Sequence, residues 1–504
     1  MRRVEKVKSN TTSMPPTTED NASCKENNGK ASKKKLTKSI IILITSCFVI
    51  VSTLRLIVGV TTHPQRSSKL KDDDVSLDNY MNRKRRNNHE RNRQRGGAGM
   101  PDFMGGGFRG DLFESNPKRS LYNRDTLPDD AQDMTEEELI LSSTVHMGGI
   151  SRIKQMSYIP SNSYAYNGVN GIFCKIDWDL HKTTPAKYAM NRDLIGHSED
   201  CRYTFSYDLA TIVQKAREYD ATHPEVRAME PTGFVFHESR CGSTMIANSL
   251  AISNPSEHRV WSESRPPIEV ILHCQDTVNY SDCDKQQTIQ LLRDVIYMMG
   301  RTRDPNEKRL FFKIQSIGTQ HMNILLEAFP NTPWVYLYRD PVHVMMSHLD
   351  MPRKERANCM RHKSDPHVSV KNILRRFGVN QFDLSVEEYC AIHLASLDET
   401  AYNAYQNHPH GLLVNYNSLP NALIEEVFPN HFNIPITEVE KENILRQSTQ
   451  YSKQKNPKKG TTFEGDNERK ERRATDEVLD ASRKYMSPGY DRLEAVDSTV
   501  TTNH

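Results

Sequence analysis

The segment Phe234-Val-Phe-His-Glu-Ser-Arg240-Cys241-Gly242-Ser243-Thr244 constrains this chain's fold more than any other. Thr232–His237 is short, apolar and β-rich behind Pro231, which predicts a buried strand. Ser243–Ala251 predicts a helix entered through Ser and Thr. A strand that feeds a tight glycine turn into a helix aims backbone N–H groups at one spot. The helix dipole adds partial positive charge there, so the turn suits a phosphate or sulfate. Gly242 lets the backbone approach the anion, Arg240 offers a fork of donors, and Ser243 and Thr244 offer hydroxyls. Taken alone, the same residues also suit an ordinary helix cap after a core strand.

A second element, Val335-Tyr-Leu-Tyr-Arg339-Asp340-Pro341-Val-His-Val-Met-Met-Ser347, has the same design. Trp334–Tyr338 reads as a strand, and Asp340-Pro341 opens a helix to about Leu349, with Asp as cap and Pro in the first turn. Arg339 at the strand end and Ser347 two turns into the helix can converge on one anion. Both elements sit at the carboxyl end of a predicted strand, where α/β sheets bind ligands. Leu310–Ile314 and Leu412–Tyr416 add two strands. Short apolar strands alternating with helices predict an α/β domain with a mainly parallel sheet.

Together the two elements resemble the binding signature for 3′-phosphoadenylyl sulfate (PAPS) in the sulfotransferase family. In that family the strand–loop–helix grips the 5′-phosphosulfate, and an Arg and a Ser eight residues apart bind the 3′-phosphate. Here Arg240, Cys241, Gly242, Ser243 and Thr244 match the first part, with Arg in the basic position as in many carbohydrate sulfotransferases. Arg339 and Ser347 match the second. Trp261-Ser-Glu263-Ser-Arg-Pro-Pro267 is similar to an element that follows the first helix in one group of these proteins. The similarity covers roughly residues 230–350, with weaker traces through Leu412–Ile434 and around Tyr451-Ser452-Lys453. It implies a three-layer α/β/α fold related to nucleotide kinases, PAPS as sulfuryl donor, no metal, and in-line transfer. Lys458-Lys459-Gly460 is either a loose counterpart of the family's segment that closes over the 3′-phosphate or a basic loop.

Sulfuryl transfer, like phosphoryl transfer, rests on positioning and electrostatic stabilisation. Arg240 and the loop amides are expected to hold the bridging and sulfuryl oxygens, with Lys313 placed to reach the same group. A base must take the acceptor's proton. Glu263, on a Pro-bounded loop, is the first choice; His237, His258 and His273 are runners-up, each also suited to a structural role. A P-loop kinase or NTPase would want a lysine before Ser243 and has none here. A non-catalytic protein that kept the fold is the other alternative.

The chain of 504 residues is 26 % charged, which predicts unpacked stretches. Residues 1–38 read as a polar cytosolic tail. The apolar run Ile40–Val60, interrupted at Arg55, reaches about 30 Å and predicts a transmembrane signal anchor at 39–60. It starts far from Met1 with no clear cleavage site, unlike a signal peptide. Lys33, Lys34, Lys35 and Lys38 precede it, which predicts a type II protein with a lumenal body, Golgi being the expected membrane. Residues 61–144 read as a basic, Gly-rich stem, 145–495 as the catalytic domain, and 496–504 as a tail. The net charge of only +3 gives no reason to expect nucleic acid as a partner, and a carbohydrate acceptor suits a lumenal body. Six cysteines fall in sequence-near pairs, Cys174 with Cys201, Cys274 with Cys283, and Cys359 with Cys390. An oxidising lumen would allow disulfides there, and six free thiols are the alternative. Asn279-Tyr-Ser281 is a glycosylation sequon.

Overall fold

The computed structural model describes residues 127–151, 166, 168–198, 201, 204–273, 285–449 and 466–501. The span at 39–60, residues 61–126 of the expected stem, Lys458-Lys459-Gly460, Asn279, Cys274 and Cys283 all lie outside the described residues. Among the described residues, no helix is long and apolar enough to cross a membrane.

Strands β1 (His146–Ser151), β2 (Asn170–Cys174) and β3 (Phe205–Asp208) form a small antiparallel sheet in that order. The two-residue strands β4 (Arg227–Ala228) and β7 (Arg301–Thr302) pair with each other. The central sheet holds β5 (Pro231–His237), β6 (His258–Ser262), β8 (Arg309–Lys313), β9 (Trp334–Tyr338) and β10 (Gly411–Asn415). Its order is β10-β9-β5-β8-β6, and every pairing is parallel. All five carboxyl ends therefore point to one edge, with β5 in the middle.

Alternation along the strands explains the layers. Val235, Val260, Phe311, Val335 and Leu337 face one side, where they join Ile246, Ala247 and Leu250 of helix α1 (Ser243–Ser253). Phe234, Phe236, Trp261, Phe312 and Tyr336 face the other. There they meet helices α2 (Arg265–His273) and α3 (Lys285–Gly300). Both faces are covered, so the strands read as continuous apolar runs rather than as alternating ones. Helices α4 (Pro341–Leu349) and α5 (Val386–Asn407) build a second apolar cluster through Val344, Met345, Tyr389 and Ile392. After α6 (Glu438–Ser448), the short α7 (Asn467–Arg473) lies against α4, and α8 (Ser487–Thr501) packs beside β10.

Four strands lie within a residue of their expected positions, but β6 does not follow from the sequence pattern. His258 and Arg259 are polar, yet both are buried. Arg259 pairs with Glu307 and donates to the Arg301 carbonyl at 2.7 Å, while the His258 ring meets the Leu250 carbonyl at 2.8 Å. Distant partners make an edge strand out of residues that look like loop. The packed body also starts before 145, since Leu127, Ala131, Leu139 and Ile140 share the core of Phe234. At the other end, α8 runs past 495. Disulfides join Cys174 to Cys201 and Cys359 to Cys390.

Candidate active site at the carboxyl edge of the sheet

The turn after β5 is built from unusual backbone. Ser239 (φ 76°), Arg240 (φ 60°) and Gly242 (φ 92°) all occupy the left-handed region, the kind of backbone that converges N–H groups into an anion-binding concavity. Gly242 has a steric requirement besides its φ: a Cβ there would sit 2.5 Å from the Tyr416 ring. Gly242 caps α1 without a side-chain hydrogen bond, and Ser243 and Thr244 are buried in the first turn. The Cys241 thiol faces away from the turn. It donates to the Leu337 carbonyl at 3.2 Å, and burial pushes its pKa up to about 12, so this residue offers the site its backbone only. The Arg240 side chain is exposed and makes no hydrogen bond or ion pair with any described residue. Its charge is felt by His348 on α4 and by Lys470 on α7.

Glu263 and Lys313 come together at the ends of neighbouring strands. The Lys313 ammonium, 2 % exposed, donates to Glu263 Oε1 in an ion pair. Glu263 lies in the short turn between β6 and α2, ahead of Pro266-Pro267. It is the residue after β6, held in the left-handed region (φ 54°) by its N–H on the Lys313 carbonyl at 2.7 Å. Gln315 Nε2 reaches the Glu263 carbonyl at 3.2 Å. His237, at the end of β5, brings Nε2 to 3.9 Å from Glu263 Oε1, and its Nδ1 accepts from the Ser239 N–H at 3.1 Å. His258 lies at the opposite end of β6 and is held by α1, which excludes it from this edge. The side chain of His273 lies outside what is described.

Arg339 closes the other side. It is 5 % exposed, its guanidinium stacks 4.1 Å over the Tyr416 ring, and Nη2 donates to Asp466 Oδ1 at 3.1 Å and to Asn467 Oδ1. Its backbone N–H donates to Glu238 Oε2 at 3.1 Å. Glu238 is wholly buried, and desolvation, with Asp398 nearby, raises its pKa well above the usual carboxylate range. One buried side chain from the first motif thus holds the backbone of the second. The Ser347 hydroxyl donates to the His343 carbonyl at 2.8 Å, one turn back on α4. His343 Nε2 meets Glu471 of α7 at 2.8 Å, so His343 and Arg339 both border α7.

The sequence reading passed over two residues. Tyr416, one residue past β10, is wedged between Gly242 and Arg339 and ties the two motifs together. An aromatic at the carboxyl end of the predicted strand Leu412–Tyr416 was the available signal. Lys470 is 5 % exposed and pairs with Asp466 at 3.0 Å. Burial, then the charge of Arg339, lowers its pKa to about 8. It sits in Asn467-Glu-Arg-Lys-Glu-Arg-Arg473, which looks like any solvated charged run. No group of described residues has the make-up of a metal site.

No family model matches this chain, and no curated protein matches it. Among solved structures it is similar to the sulfotransferase from Alicyclobacillus acidocaldarius, at 11 % identity and a TM-score of 0.30, over 53 % of this chain and 96 % of that one. It is similar to the sulfotransferase domain of the Synechococcus PCC 7002 olefin synthase, at 11 % identity and 0.28, over 54 % and 95 %. A third similarity is to the sulfotransferase domain of the curacin biosynthetic pathway, at 14 % identity and 0.28, over 54 % and 99 %.

Proposed function

We propose that this chain is a sulfotransferase that takes its sulfuryl group from PAPS. The observation that carries the reading is the convergence at one sheet edge of the Arg240–Thr244 turn, the Glu263–Lys313 pair and Arg339, each from a different strand end.

The residues present fit such a donor. The left-handed turn and the start of α1 suit the 5′-phosphosulfate, and the buried Arg339, whose Nε has no partner among the described residues, suits the 3′-phosphate. The donor would supply an activated sulfuryl group. The protein's part is to place Arg240 and Lys313 where charge builds on the transferring oxygens. Glu263 stands within reach of both Lys313 and His237, and takes the proton from an acceptor hydroxyl or amine. The Lys313 ammonium holds that carboxylate in place before the acceptor arrives.

A carbohydrate acceptor and a Golgi lumenal body on a single N-terminal anchor complete the proposal. The disulfides Cys174–Cys201 and Cys359–Cys390 support it, because such bonds persist in oxidising compartments.

Calorimetric titration of the full-length chain with adenosine 3′,5′-bisphosphate, beside ATP–Mg²⁺, tests the reading. Bisphosphate binding that weakens about tenfold or more in R240A and in R339A is expected, the loss of one charge-assisted contact each. Preference for ATP–Mg²⁺ would move the chain to the kinases, and no nucleotide binding would make it a non-catalytic protein on this fold.

A further inference from the structure

Arg339 already holds a carboxylate where the proposed donor needs it to hold a phosphate. Its Nη2 donates to Asp466 Oδ1 at 3.1 Å, and Lys470 Nζ reaches the same oxygen at 3.0 Å. One acidic oxygen thus serves two cations that are each at least nine-tenths buried. The surroundings anchor this arrangement. Arg469 meets Asp350 at 3.6 Å and Glu471 meets His343 at 2.8 Å, so α7 is clamped along α4 on both sides of Lys470.

We propose that Asp466 is an internal stand-in for a phosphate, which a phosphorylated ligand must displace from Arg339, and that Lys470 then becomes a further basic ligand of that phosphate beside Arg339. This rests on the reading of Arg339 as a donor-phosphate residue.

The electrostatics require an exchange rather than an addition. A phosphate set against Arg339 with Asp466 in place would bring two anions together, and like charges at contact in a buried site are strongly unfavourable. Once Asp466 leaves, Lys470 faces the charges of Arg339 and Arg240 without the carboxylate that paired with it. Only an incoming anion restores the balance. The buried lysine and the buried arginine therefore form one anion seat with a weak internal occupant, and the occupant sets a threshold. Ligands that lack a phosphate at this position gain nothing from displacing it, so Asp466 discriminates between 3′-phosphorylated and plain nucleotides.

The test uses the full-length chain with D466N, D466S, K470Q and E471Q. Adenosine 3′,5′-bisphosphate and adenosine 5′-monophosphate are titrated into each, with melting curves as the check on folding. Removing the stand-in in D466N or D466S should tighten the bisphosphate about tenfold and leave the monophosphate unchanged, while K470Q should weaken the bisphosphate about tenfold. E471Q, which touches the clamp but not the seat, should match the wild type. If the wild type binds the bisphosphate and neither Asp466 variant binds it more tightly, the stand-in role fails while the donor site survives. If K470Q binds as the wild type does, Lys470 is no ligand. If no variant binds the bisphosphate at all, the reading of Arg339 fails, and the stand-in role goes with it.

Discussion

At the scale of single residues, Gly242 and Tyr416 show how little room the proposed site has. The edge of the Tyr416 ring fills the space a side chain at 242 would need, and the Arg339 guanidinium stacks over the same ring. In G242A a methyl group would have to push that ring away, in a left-handed backbone that costs a non-glycine residue about 1 kcal/mol or more. We expect G242A to lose bisphosphate binding by about tenfold or more, measured by calorimetry, with a lowered melting temperature. In the proposed reaction Glu263 serves chemistry rather than binding. E263Q keeps its shape and removes the proton acceptor. Turnover should fall by about a hundredfold or more, while bisphosphate affinity stays within about threefold. Transfer assays beside calorimetry on the same preparation would show it, and equal losses in both would mean that Glu263 only holds Lys313.

Among the elements, the region between α4 and α5, which holds the helix Val368–Phe377 and two short 3-10 turns, shows how a long connection is fixed. The Cys359–Cys390 disulfide pins this stretch to α5, and Lys363 donates to the Leu384 carbonyl at 3.0 Å. Closing a loop of 31 residues is worth about 3–4 kcal/mol in the chain-entropy account. C359S should therefore lower the unfolding free energy by a similar amount, read from denaturant titrations. The strand β6 makes the complementary point. Its buried Arg259 is matched by Glu307, so an element that looks too polar for a sheet edge is stable once both partners are present.

For the molecule as a whole, the buried histidines predict a loss of stability in mild acid. Eight of the described histidines have lowered pKa values, chiefly through burial, among them His146, His321 and His348 at about 3 and His181, His258 and His393 at about 4. The folded chain keeps them unprotonated, while the unfolded chain binds protons below about 6.5. Their contribution is fully present above pH 6.5 and is lost as pH falls, by up to about 1.4 kcal/mol per pH unit for each. Melting temperatures should thus drop steeply between pH 6.5 and 4.5. A flat profile across that window would show that these rings are hydrated in the fold.

The sequence by itself determined the two strand–turn–helix elements, because apolar period, glycine turn and Asp-Pro cap are local signals that a short window carries in full. It also singled out Arg240, Arg339, Glu263 and Lys313. Only the tertiary structure decided which of them meet. Glu263 and Lys313 are 50 residues apart in the chain, yet they touch because β6 and β8 are parallel neighbours. Strand order is set by long-range packing that leaves no mark on either segment. The same holds for β6, Tyr416, Lys470 and Asp466. Their side chains are polar or lie next to loops, and each owes its place to a partner far along the chain. Burial of such groups is favourable only once that partner has arrived, so the physical reason for their position exists in the folded molecule and nowhere in the local sequence.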